Sequence, residues 1–165
     1  MTEISPWLKT YWTLFPGEGH VLDLACGGGR HSRFLSEKGF AVSAVDIDIE
    51  VVVSLKLSNV NVVAADLEQQ AWPFLEDAFD GILVTNYLWR PLFPNLKKSL
   101  KKDGVLIYET FAVGNEQYGR PRNPDFLLKN DELKEEFSEF DILAFEEGYR
   151  EYPSPSVRQA VVARK

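Results

Sequence analysis

The sequence predicts an α/β fold: a seven-stranded, mostly parallel sheet flanked by helices. Three observations lead there. Apolar runs alternate with amphipathic stretches along the chain, and the early runs are nearly continuous, as parallel strands covered on both faces require. The segment VLDLACGGGRHS (21–32) passes from an apolar run through three consecutive glycines into a helical pattern. That is the arrangement of a strand, a tight turn and a helix N-terminus shaped around a ligand. Two late strands joined through Pro153 and Pro155 read as an antiparallel pair that closes the sheet.

The elements follow in order. VLDLAC (21–26) reads as a buried strand. Arg30 to Lys38 reads as a helix with Phe34 and Leu35 inward, ended by Gly39. AVSAVDI (41–47) is a second strand, and Glu50 to Leu57 a valine-rich second helix. VNVVAAD (60–66) and FDGILVTN (79–86) are the third and fourth strands. Leu92 to Lys102 is a helix whose lysines 97, 98, 101 and 102 suit its C-terminal end. Asp103-Gly104 turns into a fifth strand, VLIYETF (105–111). Asp131 to Phe137 is a short acidic helix, and 141–149 and 156–164 form the closing pair. The stretch Ala112 to Asn130 is long for a loop in a compact domain, and loops of that length are usually functional or disordered.

Bulk properties narrow the function. The 165 residues suit one domain over 1–165, with 45% hydrophobic and 26% charged content. A net charge of −7 argues against a nucleic-acid partner, because phosphate binding needs a basic footprint. Cys26 is the single cysteine, so no intrachain disulfide forms. With no signal-peptide pattern and no apolar run long enough for a membrane span, the expected location is cytoplasmic, without a membrane partner. The expected state is a monomer or a homodimer. His20 and His31 lack metal-ligand spacing, so no metal is assigned. His31 either touches a ligand from the first helical turn or faces solvent.

Polar residues gather at strand ends, which places them on one rim of the sheet, where ligands of such folds bind. Asp23 precedes the glycines, Asp46 ends strand two, Asp66 strand three, Asn86 strand four, and Glu109 with Thr110 strand five. Asp46 lies 19 residues after Gly27, a spacing that fits a carboxylate on ribose hydroxyls. A dinucleotide pattern laid on Gly27 and Gly29 requires glycine at 32, where Ser32 stands. Asp23 beside a pyrophosphate would repel it by on the order of 4 kcal/mol at a few Å. Beside a cationic sulfonium and amino group the same charge attracts. The acid therefore favours S-adenosylmethionine over NAD. Asp66 also suits a purely turn-forming role.

At these residues the sequence resembles the class I S-adenosylmethionine-dependent methyltransferases. The matching stretches are DLACGGGRHS (23–32), AVDID (44–48), AADLE (64–68), FDGILVTNYL (79–88) and LKKDGVLIYETF (100–111). The block GNEQYGRPRNPDFLLKNDEL (114–133) resembles an uncharacterised bacterial branch of tellurite-resistance-like methyltransferases. The resemblance implies a Rossmann-like sheet of order 3-2-1-4-5-7-6 with strand seven antiparallel. It implies that Asp23, Gly27 and Gly29 shape the methionine end of the cofactor, and that Ala25 and Arg30 also belong to the cofactor-binding residues. Asp46 would hold the ribose, Ile47 would pack on adenine, and Asp66 with the Leu67 backbone would meet the adenine amino edge. Asn86 and Tyr87 would lie beside the sulfonium and the acceptor.

The stretch Asn86-Tyr87-Leu88-Trp89 lacks the Pro-Pro-aromatic sequence of many base-amino methylases, which favours a small-molecule acceptor. Methyl transfer is an in-line displacement, so orientation supplies much of the rate. Tyr87, Glu109 and Tyr118 are candidate bases. Arg90, Arg120 and Arg122 are candidates for holding an anionic acceptor. The loop 112–130 and the aromatics Trp7, Tyr11 and Trp12 are expected to close over the site, although the helical spacing of these aromatics also suits covering the core. The alternatives are a non-catalytic S-adenosylmethionine- or nucleoside-binding module and an NAD-linked oxidoreductase.

Overall fold

The computed structural model describes residues 3–165. Seven strands form one sheet in the order β3-β2-β1-β4-β5-β7-β6. They are β1 (His20–Leu24), β2 (Ala41–Asp46), β3 (Val60–Ala64), β4 (Phe79–Thr85), β5 (Leu100–Phe111), β6 (Asp141–Arg150) and β7 (Ser156–Arg164). The first five run parallel, and β7 pairs antiparallel with both β5 and β6. The order and the reversed last strand are those expected.

Burial on both faces explains the unbroken apolar runs. In β4, Ile82 and Val84 point into one core and Leu83 into the other, and all three are fully buried. The first core is closed by α4 (Phe93–Ser99) and α5 (Glu132–Glu136), the second by α1 (Pro6–Tyr11) and α2 (Arg30–Glu37). The short α3 (Glu50–Ser54) sits beside α2.

Three boundaries differ from expectation. The helix expected over 92–102 is α4 alone, preceded by a 3₁₀ turn at Arg90–Leu92. Leu100 instead pairs with Phe79 and is buried, so β5 begins before the Asp103-Gly104 turn, which becomes a kink inside the strand. Asp103 takes a φ of 64° there, and its N–H reaches the carbonyl of Lys165. The second helix stops at Ser54, short of Leu57. Its valines have low helix propensity, and Lys56 at φ 50° turns the chain away. The long loop is partly ordered by two 3₁₀ turns and by a bridge from Ala112 to Leu128, with Leu127 and Leu128 buried.

Candidate active site

The ends of β1 and β4 both leave the sheet through a non-glycine residue in left-handed conformation, Ala25 at φ 53° and Asn86 at φ 56°. An alanine held there costs about 1–2 kcal/mol, and such residues gather where the backbone must be aimed at a ligand. Of the three glycines that follow, Gly27 and Gly29 serve different needs. A Cβ on Gly27 (φ +51°) would meet nothing within 4 Å, so its backbone lies open to an approaching ligand. A Cβ on Gly29 (φ +75°) would stand 2.6 Å from Val52 Cγ2, so this glycine lets α2 pack against α3.

Around this rim lies one cleft in three parts. The largest, about 910 Å³, is bounded by Ala25, Gly27, Arg30, His31, Thr85 and Asn86, among others. The second, about 380 Å³, is bounded by Ala25, Asp46, Ile47, Asp66, Leu67 and Tyr87, among others. A recess of about 200 Å³ has Glu68, Asn86, Tyr87, Thr110, Phe111 and Phe126 in its wall. Ala25 joins the first two parts, Asn86 joins the first to the recess, and Glu68 with Tyr87 joins the second to the recess. An elongated ligand can therefore run along the strand ends with its middle beside the recess.

The three strand-end aspartates differ in availability. Asp23 is fully buried, and its Oδ2 accepts a 2.6 Å hydrogen bond from Ser32 Oγ. Burial pushes its carboxyl up to about 6, opposed by the Ser32 bond. Ser32 thus has a definite task where a dinucleotide motif would have glycine. Asp46 accepts from the N–H of Gly27 (2.8 Å) and of Asp48 (3.1 Å), one on each oxygen, which fixes its carboxylate under the glycine turn. Asp66 accepts from the N–H groups of Glu68 and Gln69 on Oδ1, at 3.0 and 3.2 Å. It does form a turn, yet no protein donor among the described residues engages its Oδ2. Ile47 is 69% exposed and lines the second part, an apolar side chain left uncovered by the described residues. Burial and the nearby carboxylates push the Cys26 thiol up, so it packs as a small neutral residue.

The candidate bases and acceptor cations separate clearly. Burial, with Glu68 beside it, raises the Tyr87 phenol, so the hydroxyl keeps its proton near neutral pH and turns it to Glu68 Oε1 at 3.5 Å. Glu109 is 3% exposed and engaged by Ser5 Oγ, by Arg150 Nη1 at 2.9 Å and by Arg158 Nε at 3.7 Å. That company corrects its assignment as a base: it is the anion that holds two arginines together. Tyr118 stacks on Tyr149 at 5.0 Å and bounds none of the three parts. Arg90 is not an acceptor ligand either. Its guanidinium takes Glu132 through Nε and Nη2 (2.6 and 2.9 Å) and the carbonyls of Asp125 and Leu127 (2.7 and 2.9 Å), fastening the loop. Arg120 and Arg122 are exposed on either side of Pro121, whose ring does bound the recess.

Trp7, Tyr11 and Trp12 cover the sheet face instead of the cleft. Trp7 is buried against Tyr11 (4.5 Å), and Trp12 meets Phe34 and Phe40 edge-on. What reaches the cleft from this segment is Ile4, while the buried Ser5 meets His31 behind its wall. His31 does not face solvent: it is 2% exposed and bonded to Ser5 and Thr85. Sequence reasoning missed Ser5, Glu68 and Arg158. Arg158 lies over Phe111 at 4.3 Å, reaches Asn86 Oδ1 and pairs with Glu109. Its signal was a charged residue near the start of a strand whose middle, Ala160 to Ala163, is apolar. Glu68 had one too, standing two residues after Asp66.

Comparison with known proteins agrees with this geometry. The family described as "Methyltransferase domain" matches residues 21–104. YqeM of Bacillus subtilis, named as a methyltransferase, is 28% identical over 118 residues, covering 64% of this chain and 48% of its own length. TehB of Haemophilus influenzae, named as an S-adenosyl-L-methionine-dependent methyltransferase, is 27% identical over 141 residues, covering 79% of this chain and 49% of its own. The chain thus spans about half the length of the curated relatives it matches. The crystal structure of that TehB superposes with a TM-score of 0.79 at 21% identity over 100% of this chain and 63% of the other. A Burkholderia thailandensis 1,6-didemethyltoxoflavin-N1-methyltransferase, solved with its acceptor and S-adenosylhomocysteine, gives 0.75 at 19% identity over 97% and 76%.

Proposed function

The chain belongs to the methyltransferase-domain family, and from that premise we propose that it transfers a methyl group from S-adenosylmethionine to a small-molecule acceptor. The observation that carries this reading is the three-part cleft: a large part beside the glycine turn, a part edged by Asp46 and Asp66, and a recess at their junction. S-adenosylmethionine has the matching three features, an amino-acid end, a nucleoside end and a reactive sulfonium between them.

The residues fit that cofactor. The open backbone at Gly27 leaves room for the methionine chain. Asp46, with one N–H on each oxygen, keeps lone pairs for ribose hydroxyls. The free Oδ2 of Asp66 suits the adenine amino group, and Ile47 offers an apolar surface to the ring. When bound, the cofactor supplies a methyl group activated by its sulfonium. The protein's part is to hold the acceptor in line with it and keep water out. Asn86, shared between the large part and the recess, stands where the two meet, and Arg158 holds its side chain.

The recess supports a small acceptor. Its 200 Å³ lies below the usual ligand pocket of about 300–1,000 Å³. Phe111, Phe126 and Leu88 make it largely apolar. With Tyr87 a donor and Glu109 occupied by arginines, Glu68 is the carboxylate that the recess wall presents to an acceptor. The test is titration calorimetry with S-adenosylhomocysteine and NAD, followed by methyl-release assays over thiols, chalcogen oxyanions and small acids. Binding of S-adenosylhomocysteine and turnover of one acceptor is expected. Binding of NAD alone would overturn the reading, and cofactor binding with no turnover on any acceptor would favour a non-catalytic module.

A further inference from the structure

His31 sits in the first turn of α2 with both ring nitrogens engaged. Nε2 lies 3.1 Å from the backbone N–H of Ser5, and Nδ1 lies 3.3 Å from Thr85 Oγ1. A backbone N–H can only donate, so Nε2 must be the unprotonated nitrogen. Burial holds the imidazole down at about 3, so the ring is neutral wherever the protein is folded near neutral pH. Its one proton is therefore on Nδ1, and Nδ1–H donates to Thr85 Oγ1. The Thr85 hydroxyl hydrogen is then left to point elsewhere, and no protein acceptor takes it among the described residues. Thr85 bounds the large part of the cleft, with Ala25, Gly27 and Arg30, and does not bound the recess.

We propose that the Thr85 hydroxyl is a fixed hydrogen-bond donor to the carboxylate at the amino-acid end of the cofactor, with His31 and the Ser5 backbone as the residues that set its direction. This rests on the S-adenosylmethionine reading above. The hydroxyl hydrogen left over by the relay can be taken by a carboxylate, which accepts, and not by an ammonium, which only donates. Arg30, on the same wall, adds positive charge for the same group. Thr85 is thus a binding residue and His31 a positioning residue.

The experiment compares two ligands by calorimetry on the full chain. S-adenosylhomocysteine carries the amino-acid end; 5′-methylthioadenosine has the same nucleoside and thioether without it. Thr85→Val keeps the shape and removes the donor. It should weaken S-adenosylhomocysteine by about 10- to 100-fold, as expected for a lost bond to a charged group, and leave 5′-methylthioadenosine unchanged. Thr85→Ser should restore the preference. His31→Gln should reduce it in the same selective way, and the Thr85 pair stands alone if that variant fails to fold. Equal weakening of both ligands by Thr85→Val, or of neither, would overturn the proposal. Wild type that binds neither ligand would overturn the cofactor reading itself, and this assignment with it.

Discussion

The glycine turn offers a test in which two neighbouring substitutions of the same kind should fail differently. Gly27 and Gly29 both adopt left-handed conformations, at φ 51° and 75°. Alanine at either position pays a backbone penalty of about 1–2 kcal/mol. At Gly27 nothing else is added, because the new methyl meets no protein atom within 4 Å. At Gly29 the methyl would lie 2.6 Å from Val52 Cγ2 and 3.1 Å from Leu55 Cδ1. Val52 is 2% exposed and cannot swing away, so overpacking adds about 1–3 kcal/mol. In a chain of this size each kcal/mol lowers Tm by roughly 2–4 °C. Gly27→Ala should thus melt about 2–8 °C below wild type, and Gly29→Ala about 4–20 °C below. Binding should separate the two in the opposite sense. Gly27 lines the large part of the cleft with open space around it, so S-adenosylhomocysteine affinity should fall more for Gly27→Ala than for the folded fraction of Gly29→Ala. Thermal unfolding and calorimetry on the two variants decide it. Equal melting losses, or undiminished binding by Gly27→Ala, would refute the division of labour between the glycines.

Asp23 should leave a signature in the pH dependence of stability. Its folded carboxyl titrates at about 6 against an ordinary 3.8, so the folded state holds the proton more tightly than the unfolded chain. The resulting stabilisation is complete below about pH 4 and is lost as pH rises through 6, by about 3 kcal/mol in all. In urea unfolding, Asp23→Asn should lack that decline; parallel curves for wild type and variant across pH 4–6 would contradict it. Arg90→Met removes the fastening of the loop and should cost about 1–3 kcal/mol. It should also speed protease cleavage within 112–130 while leaving S-adenosylhomocysteine affinity unchanged; a lost affinity would place Arg90 at the ligand after all. Tyr87→Phe should leave the pH profile of turnover without a displaced limb, since the phenol is pushed away from neutral pH. A limb that disappears in the variant would reinstate Tyr87 as a base.

The sheet order came from the family resemblance, whereas the positions of Asp46, Asp66 and Asn86 were legible because parallel strands have an imposed direction. Once the apolar runs are read as strands, their carboxyl ends fall on one rim, and polar residues there stand out against the apolar background. The partners of those residues were not legible. Glu109 meets Ser5 across 104 positions of sequence and Arg150 across 41. Arg90 meets Glu132 across 42. No local periodicity encodes such pairings, so an arginine at the head of a helix and one that fastens a distant loop look alike. The same holds for His31, whose helical position is clear but whose burial depends on Ser5, 26 residues earlier.

Position and availability are therefore separate properties of a strand-end acid, and lone pairs distinguish them. A carboxylate offers about four acceptor sites. Asp46 uses two on backbone N–H groups, one per oxygen, and stays half-buried at the cleft. Asp66 uses two on a single oxygen and leaves the other open. Both are fixed by the bonds they already make, so their remaining lone pairs are oriented before any ligand arrives. Glu109 has the same kind of position but is buried, with a hydroxyl and two guanidinium groups upon it. Freeing it to take a proton from an acceptor would strip Arg158 of the carboxylate it pairs with and leave Arg150 to Glu146, which is unfavourable for guanidinium groups that are mostly buried. Its contribution to the site is indirect. Glu109 holds Arg158, Arg158 holds the side chain of Asn86, and Asn86 stands where the large part of the cleft opens to the recess.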